Sequence, residues 1–243
     1  MIIFLYTLAF FLLMVASYGI SAWLQDKQQL KQLTQDLKSV EKKETTTEEN
    51  ILVNPPQNKD DSYWKYVTEP LLTVDFLELS EKNSDTVAWI KISGTTVDYP
   101  IVQTTNNEFY LTHSFEKQEN KAGWIYGDFR NNWQSLNANT ILYGHGRTDG
   151  TMFGSLNDLL NDDWYQNNKP LIQISTPAFN LLLQIFSVYT IDKESYYLTT
   201  HFDDQKQFSF FLKTIKERSM FDFQTTVNDN DKIFTLSACK DNF

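Results

Sequence analysis

One cysteine is the residue of this chain best suited to covalent chemistry. Cys239 is the only cysteine in 243 residues, and it follows the predicted strand 232–236 at the point where the apolar run gives way to polar residues. A thiol at that place would lie at the rim of a sheet, partly buried and open to a substrate. A lone cysteine is also often a small buried apolar side chain, so this observation alone leaves both interpretations open.

Among the three histidines, His145 has the sequence surroundings of a catalytic base. It ends a predicted strand over 140–143 and lies between two glycines, which favours open access to its ring. His113 lies in a predicted short helix and His201 in a polar loop. We interpret these two as structural or surface residues.

A useful thiolate needs a nearby base or cation, because a free thiol has a pKa of about 8.5. A zinc site would need further histidine or cysteine ligands at short spacing, and the chain has none to spare. We therefore predict a nucleophilic pair of Cys239 and His145, with no metal and no cofactor, and regard a metal-dependent enzyme as a remote alternative. Because 94 positions separate the two residues, the pair requires their strands to lie side by side.

Composition indicates one acidic domain with a sizeable core. Apolar residues make up 41% of the chain and aromatic residues 15%. The net charge of −10, without any cluster of Lys and Arg, argues against a nucleic-acid partner. A single cysteine allows no intramolecular disulfide, so packing alone must hold the fold.

The first part of the chain is predicted to tether this domain to a membrane. Ile2 to Ile20 carry no charged side chain and are long enough to cross a bilayer, so we predict a transmembrane anchor over 1–24. A cleaved signal peptide is the alternative, but it would begin with basic residues. Residues 25–61 are predicted to form a helical stalk and then a flexible spacer. The apolar stripe of the stalk consists of Leu30, Leu33, Leu37 and Val40.

The rest of the chain, residues 62–243, is predicted to be mainly β with peripheral helices, forming a β-barrel or sandwich. Predicted strands cover 87–92, 97–103, 124–127, 140–143, 171–175, 179–191 and 232–236. Pro100 interrupts the second of these, which predicts an edge or a bulge. Predicted helices cover 73–83, 106–115, 151–160 and 203–218. The first has Thr73 as its cap, and the last carries an amphipathic stripe.

Several separated blocks of the chain resemble the sortases of Gram-positive bacteria, and the class B branch in particular. Tyr143 to His145 resembles a YGHH-like strand end, Gly150 to Leu156 a GTMFG[SD]L segment, and Thr235 to Cys239 a [TS]LSTC strand end. Upstream blocks of the same family lie at 89–92, 97–103 and 107–111. The blocks follow the family's order over about residues 75–241, which makes the resemblance more specific than any single motif.

This resemblance implies a sortase-like β-barrel with cysteine transpeptidase activity on the extracellular side of the cell membrane, held by a single-pass anchor. Cys239 would attack the carbonyl of a Thr in the sorting signal of a surface protein. His145 would protonate the leaving amine and then deprotonate the acceptor, an amine of peptidoglycan or of a pilin. Asp241 matches an acidic position that orients the site, although it also fits a loop-end carboxylate. Positions that line the family's peptide groove match Asn107, Leu111 and Ser237.

One feature of the family is missing from the sequence. Sortases carry an arginine roughly ten residues after the cysteine, where it holds the substrate or the oxyanion, but this chain ends at Phe243. The arginine nearest to His145 in sequence is Arg147. We therefore expect a catalytic domain without its last strand, either a truncated form or an inactive copy. The alternative function is a catalytically inactive extracytoplasmic β-domain that binds or scaffolds other molecules.

Overall fold

The computed structural model describes residues 2–40, 42–45, 62–192 and 194–240. At positions 2–5, 8, 9, 43–45, 62, 63, 239 and 240 the description covers the backbone alone. Most of the predicted spacer and the predicted site residue Asp241 lie outside the described residues.

Nine strands are present in the described part of the chain. They are β1 (Lys42–Thr45), β2 (Leu71–Val74), β3 (Thr86–Ile92), β4 (Asp98–Val102), β5 (Tyr126–Gly127), β6 (Asn139–Gly146), β7 (Leu171–Ser175), β8 (Asn180–Gln184) and β9 (Ile233–Lys240). Strands β1 and β2 form an antiparallel pair of their own, and the other seven form one sheet in the order β8-β7-β3-β4-β5-β6-β9. The curled half-barrel confirms a mainly β fold, but among the described residues the sheet stays open, with β8 and β9 at its ends.

Helices surround this sheet, as the sequence predicts. The α-helices are α1 (Ile2–Lys38), α2 (Ser62–Tyr66), α3 (Phe76–Lys82), α4 (Asp162–Asn167) and α5 (Gln205–Glu217). Three short 3-10 helices cover Phe109–Leu111, Gly154–Leu160 and Tyr196–Leu198. The predicted amphipathic stripe of α5 is buried at Phe208, Phe211, Leu212 and Ile215 and packs on Ile233 at the start of β9.

The centre of the core lies under β3 and β4. Trp89 and Ile90 of β3 are fully buried, as expected for β-branched and aromatic residues in a strand with neighbours on both sides. Strand β4 pairs with β3 along its length but with β5 only at Val102. Pro100 therefore lies in a strand that is an edge for most of its length, as the sequence predicts.

The predicted start of α3 is wrong. The helix begins at Phe76, and the carboxylate of Asp75 caps it by accepting a 2.8 Å hydrogen bond from the Leu77 amide. Thr73 belongs to β2, and its hydroxyl accepts a hydrogen bond from Asn180 at 3.1 Å. Both residue types are good helix caps, so local sequence does not separate them, whereas pairing with β1 assigns Thr73 to a strand.

None of the helices in the described part of the chain combines the length and the apolar content needed to cross a membrane. The predicted anchor over 1–24 is therefore not confirmed.

The apolar stripe predicted on α1 packs against the domain. Leu30, Leu37 and Val40 are almost fully buried within the main core cluster, and Leu33 packs against it. The end of this helix is therefore fastened to the sheet, whereas the predicted stalk would stand free of it.

A polar cluster next to this stripe fastens the same region. Lys42 of β1 reaches Asp98 of β4 at 3.3 Å, and its ammonium group lies 4.0 Å from the centroid of the Trp89 ring. The indole of Trp89 donates a 2.7 Å hydrogen bond to Asp98. Residues 42–45 thus form a strand inside a stretch for which the sequence predicts a flexible spacer.

Candidate active site

The candidate site lies where β6 and β9 end. These two strands are parallel neighbours, and their register pairs His145 directly with Cys239. A long crossover over residues 147–232 makes the parallel arrangement possible and brings both strand ends to one edge of the sheet. Paired residues of neighbouring strands lie on the same face of a sheet. The structure thus provides the adjacency that the predicted nucleophilic pair requires.

A backbone carbonyl holds the imidazole of His145. Its Nε2 atom lies 2.8 Å from the carbonyl oxygen of Leu111. Since a carbonyl oxygen only accepts hydrogen bonds, Nε2 carries a proton in this arrangement. In the neutral ring, Nδ1 is then the nitrogen that accepts a proton.

The two glycines that flank His145 are both buried. A Cβ atom on Gly144 would lie 2.8 Å from the ring of Phe153. Gly146 pairs with Met152 in an isolated bridge. An aromatic ring thus fills the space that the missing side chain of Gly144 leaves, so this glycine allows Phe153 to pack closely on β6.

A third glycine, Gly123, brings a loop close to the imidazole. Its φ of +57° is in the left-handed region, and a Cβ atom there would meet the carbonyl oxygens of Tyr110 at 2.5 Å and Leu111 at 2.7 Å. The same atom would lie 3.0 Å from Cδ2 of His145. Only glycine combines this backbone conformation with this close approach. No sequence motif indicated this position.

Beside the site, the fully buried carboxylate of Asp128 accepts five hydrogen bonds. Three come from Arg130, through its amide at 2.9 Å, Nε at 2.7 Å and Nη2 at 2.7 Å. The other two come from the Tyr143 hydroxyl at 2.8 Å and Asn107 Nδ2 at 3.0 Å. Burial alone would raise the pKa of Asp128, but the hydrogen bonds from Arg130, Tyr143 and Asn107 outweigh it and lower the pKa to about 2.

The three residues that the sequence resemblance assigns to a peptide groove differ from one another in exposure and in hydrogen bonding. Asn107 uses its side-chain amide inside the protein, donating to Asp128 and accepting from the Phe129 amide at 2.9 Å. Leu111 is 40% exposed, while its carbonyl accepts from His145. Ser237 is 7% exposed, and its hydroxyl lies 3.1 Å from the hydroxyl of Tyr197.

The arginine nearest to His145 in sequence is engaged in its own loop. Arg147 donates to Asp149 at 2.8 Å through Nη2 and to the Thr151 hydroxyl at 2.9 Å through Nε. Burial tends to raise the pKa of Asp149, but the hydrogen bonds from Arg147 and Thr151 prevail and lower it to about 2. Through these hydrogen bonds, Arg147 stabilises the turn that follows β6.

His113 lies outside the predicted helix, because the 3-10 turn ends at Leu111 and His113 pairs with Glu119 in an isolated bridge. The ring of His113 stacks on Phe109 at 4.0 Å and bonds to the Phe109 carbonyl at 2.8 Å. His201 is exposed in a loop. Within the described residues, no group of three His, Cys, Asp or Glu side chains is arranged to hold a metal ion.

A family model described as the sortase domain matches residues 90–243. Sortase B of Staphylococcus aureus is 39% identical over 166 residues, which cover 68% of this chain and 68% of that protein. Sortase B of Listeria monocytogenes is 35% identical over 162 residues, which cover 67% of this chain and 65% of that protein. The aligned part thus spans slightly less than two thirds of the Listeria protein.

Solved structures match as well. A complex of S. aureus sortase B with its substrate has a TM-score of 0.65 at 38% identity, over 69% of this chain and 77% of that one. A Bacillus anthracis protein similar to sortase B has a TM-score of 0.70 at 30% identity, over 90% of this chain and 92% of that one.

Proposed function

Because the chain belongs to the class B sortases, a family of cysteine transpeptidases, we propose that it cleaves a C-terminal sorting signal after Thr and transfers the acyl group to an amine. The observation that carries this proposal is the register that pairs His145 with Cys239. A histidine next to a cysteine at one sheet edge is the arrangement that thiol nucleophiles use.

The reaction takes place in two steps. The thiolate of Cys239 attacks the Thr carbonyl, His145 protonates the leaving amine, and a thioacyl bond forms as the peptide bond breaks. An acceptor amine then attacks the thioacyl carbonyl, His145 takes the proton, and the thiolate of Cys239 leaves. The acyl group is stored on sulfur between the steps, so the enzyme can exclude water until the acceptor arrives.

Two relatives support these substrates. A solved S. aureus sortase B structure is described as a substrate complex, and another sortase B structure is complexed with a glycine tripeptide. The first supports a sorting-signal peptide as acyl donor, and the second supports a cell-wall amine over a pilin lysine as acceptor. Asn107, Leu111 and Ser237 are proposed to lie along the peptide, and Asp241 to orient the site.

We place the enzyme at the outer face of the cell membrane, where surface proteins and peptidoglycan meet. The first half of α1 carries large apolar side chains that are at least half exposed, and their burial in lipid would be favourable. They include Phe10, Phe11, Leu12, Leu13 and Val15. Release of the full chain from a membrane fraction by salt alone, without detergent, would contradict membrane attachment through α1.

The test of the reaction is product analysis with the full chain. We expect a sorting-signal peptide and triglycine to yield the cleaved peptide joined to triglycine, and we expect Cys239→Ala to yield none. Replacing the general acid–base should lower the rate by roughly 10²–10⁴-fold in His145→Gln, whereas the control His201→Gln, at an exposed loop histidine, should keep it. Peptides of the NPxTN and LPxTG types are compared. If neither peptide is cleaved, the result favours the inactive binding or scaffold domain.

A further inference from the structure

We propose that Asp128 and Arg130 are a positioning pair that joins the two segments flanking the candidate site and sets the spacing between them. We define the first flanking segment as residues 106–111 and the second as residues 195–199. The proposal rests on the proposed function, because its consequence is a fixed peptide groove between these segments. Neither residue belongs to the motifs that identified the site from sequence.

The first flanking segment contacts the pair through Asn107. The Asn107 side chain donates to Asp128 at 3.0 Å and accepts from the Phe129 amide at 2.9 Å. The carbonyl of Asn107 accepts a hydrogen bond from the Tyr126 hydroxyl at 3.0 Å. Four residues later, the Leu111 carbonyl holds His145. The segment that orients the imidazole is thus anchored on Asp128.

The second flanking segment contacts the pair through Arg130. Its Nη2 atom donates both to Asp128 at 2.7 Å and to the carbonyl of Leu198 at 3.1 Å. The neighbouring Tyr197 lies against Ser237 of β9, two positions before Cys239. A single guanidinium group therefore connects this segment to the carboxylate that holds the first one. Planar, bidentate geometry suits Arg for such a bridge and does not suit Lys.

Strand β6 completes the arrangement beneath both segments. Tyr143, two positions before His145, donates its hydroxyl to Asp128 at 2.8 Å. Asn139 of the same strand donates to the carbonyls of Tyr197 at 3.2 Å and Thr199 at 2.9 Å. Because a buried carboxylate is costly without its donors, these contacts hold together as one unit. The unit includes no residue that the reaction itself consumes or regenerates.

The first experiment compares steady-state kinetics of Arg130→Gln, Arg130→Lys and Asp128→Asn in the full chain. We expect Arg130→Gln to raise KM about tenfold with kcat nearly unchanged, the order of magnitude for one lost charge-assisted hydrogen bond. Arg130→Lys keeps the charge and should recover part of that loss. Asp128→Asn releases both segments, so it should raise KM and also lower kcat, since the Leu111 carbonyl then holds His145 less firmly.

The control is Asp98→Asn, which replaces a partly exposed aspartate whose hydrogen bonds and ion pairs within the described residues go to Trp89, Lys42 and Lys38, outside both flanking segments. It should leave KM and kcat unchanged. If Asp98→Asn shifts KM as much as Arg130→Gln does, the effect is general destabilisation and the positioning role is wrong.

Amide hydrogen exchange tests whether Asp128 and Arg130 join the two flanking segments, and it does not depend on enzymatic activity. We expect amides of both flanking segments to exchange faster in Asp128→Asn, amides of 195–199 alone to do so in Arg130→Gln, and neither in Asp98→Asn. Arg130 is a partly exposed side chain, so unchanged exchange of residues 195–199 in Arg130→Gln would overturn the proposal. Failure of the proposed function gives a different result. The unsubstituted chain would then form no product, while the differences in amide exchange between the variants would remain as predicted.

Discussion

Two aspartates, Asp128 and Asp98, gather donors from distant parts of the chain, and they differ in burial. Asp128 is fully buried and accepts five hydrogen bonds, three of them from Arg130. The side chain of Asp98 is 24% exposed, and it accepts from Trp89 and Lys42. The first cluster joins segments around the candidate site, whereas the second fastens the N-terminal region to β3 and β4 in the middle of the sheet.

The difference in burial indicates which of the two clusters affects the candidate site and which one only fastens the N-terminal region to the sheet. A fully buried carboxylate is costly to leave unpaired, so its partners are held in fixed positions. A partly exposed ion pair exchanges its partners for water at small cost. We therefore expect changes at Asp128 to reach the site and changes at Asp98 to remain local.

The largest expected effect is on stability when the buried carboxylate is replaced. Asp128→Asn should lower the free energy of unfolding by about 3 kcal/mol, because a neutral amide in this buried place weakens the charge-assisted hydrogen bonds from Arg130 and mispairs the donors of Tyr143 and Asn107. Asp98→Asn should cost about 1 kcal/mol. Urea unfolding of both variants measures the difference, and equal losses would remove the distinction between the two clusters.

The second-largest expected effect is a loss of folding stability at acid pH, caused by protonation of Asp128 and Asp149. Asp128 and Asp149 have pKa values of about 2 in the folded protein, below the ordinary value of 3.8. A lowered pKa means that each carboxylate adds stability above about pH 4, and that this contribution, about 2 kcal/mol each, is lost as the pH falls to about 2. Unfolding measured from pH 5 to pH 2 should show this loss. The pH dependence should be shallower in Asp128→Asn, and an unchanged slope would contradict the assignment.

The close approach at Gly123 gives a smaller effect that is specific to the site. Gly150 is a matched control, because its φ of +76° is also left-handed but a Cβ atom there would meet nothing within 4 Å. Both alanine variants should lose about 1–2 kcal/mol from backbone strain. Only Gly123→Ala should also slow peptide cleavage, since the added methyl group pushes on the Leu111 carbonyl and on His145. Equal cleavage rates in the two variants would show that this contact does not position the imidazole.

The smallest expected effect is at the N-terminal cluster. Lys42→Gln removes an ion pair and a cation–π contact and should cost about 0.5–1 kcal/mol. Because this cluster contacts neither flanking segment, the cleavage rate should stay unchanged. A slower rate in Lys42→Gln would show that attachment of α1 and β1 to the sheet reaches the site, and the contrast with Asp128 would fail.

Much of the fold could be predicted from local pattern. The short apolar run at β7 and the 3.6-residue stripe of α5 depend on periodicity, and both elements appear within a few residues of their predicted bounds. The sequence favours His145 and Cys239 as a pair by residue type and place at strand ends, but their adjacency is a requirement of that prediction, and the register of β6 and β9 supplies it. The apolar patterns of β7 and α5 each lie within one short stretch of the sequence.

What could not be predicted depends on contacts between distant residues. Asp128 lies at the start of a polar, Asn-rich loop without periodicity, and only the folded chain brings Tyr143 and Asn107 to its carboxylate. The stripe on α1 predicted a helix but not the surface that buries Leu37. The role of Gly123 depends on a loop that approaches it from another part of the chain. The residue types at these three positions are compatible with several local structures, so the sequence alone does not select one of them.

The most direct test of the central claim is mass spectrometry of the full chain after brief incubation with a sorting-signal peptide and no acceptor amine. We predict a mass increase equal to the acyl portion of the peptide, located on Cys239. The adduct should be absent in Cys239→Ala and should form far more slowly in His145→Gln than in His201→Gln. An unmodified Cys239 with every peptide tried, or equal adduct formation in the two histidine variants, would contradict a catalytic pair at the ends of β6 and β9.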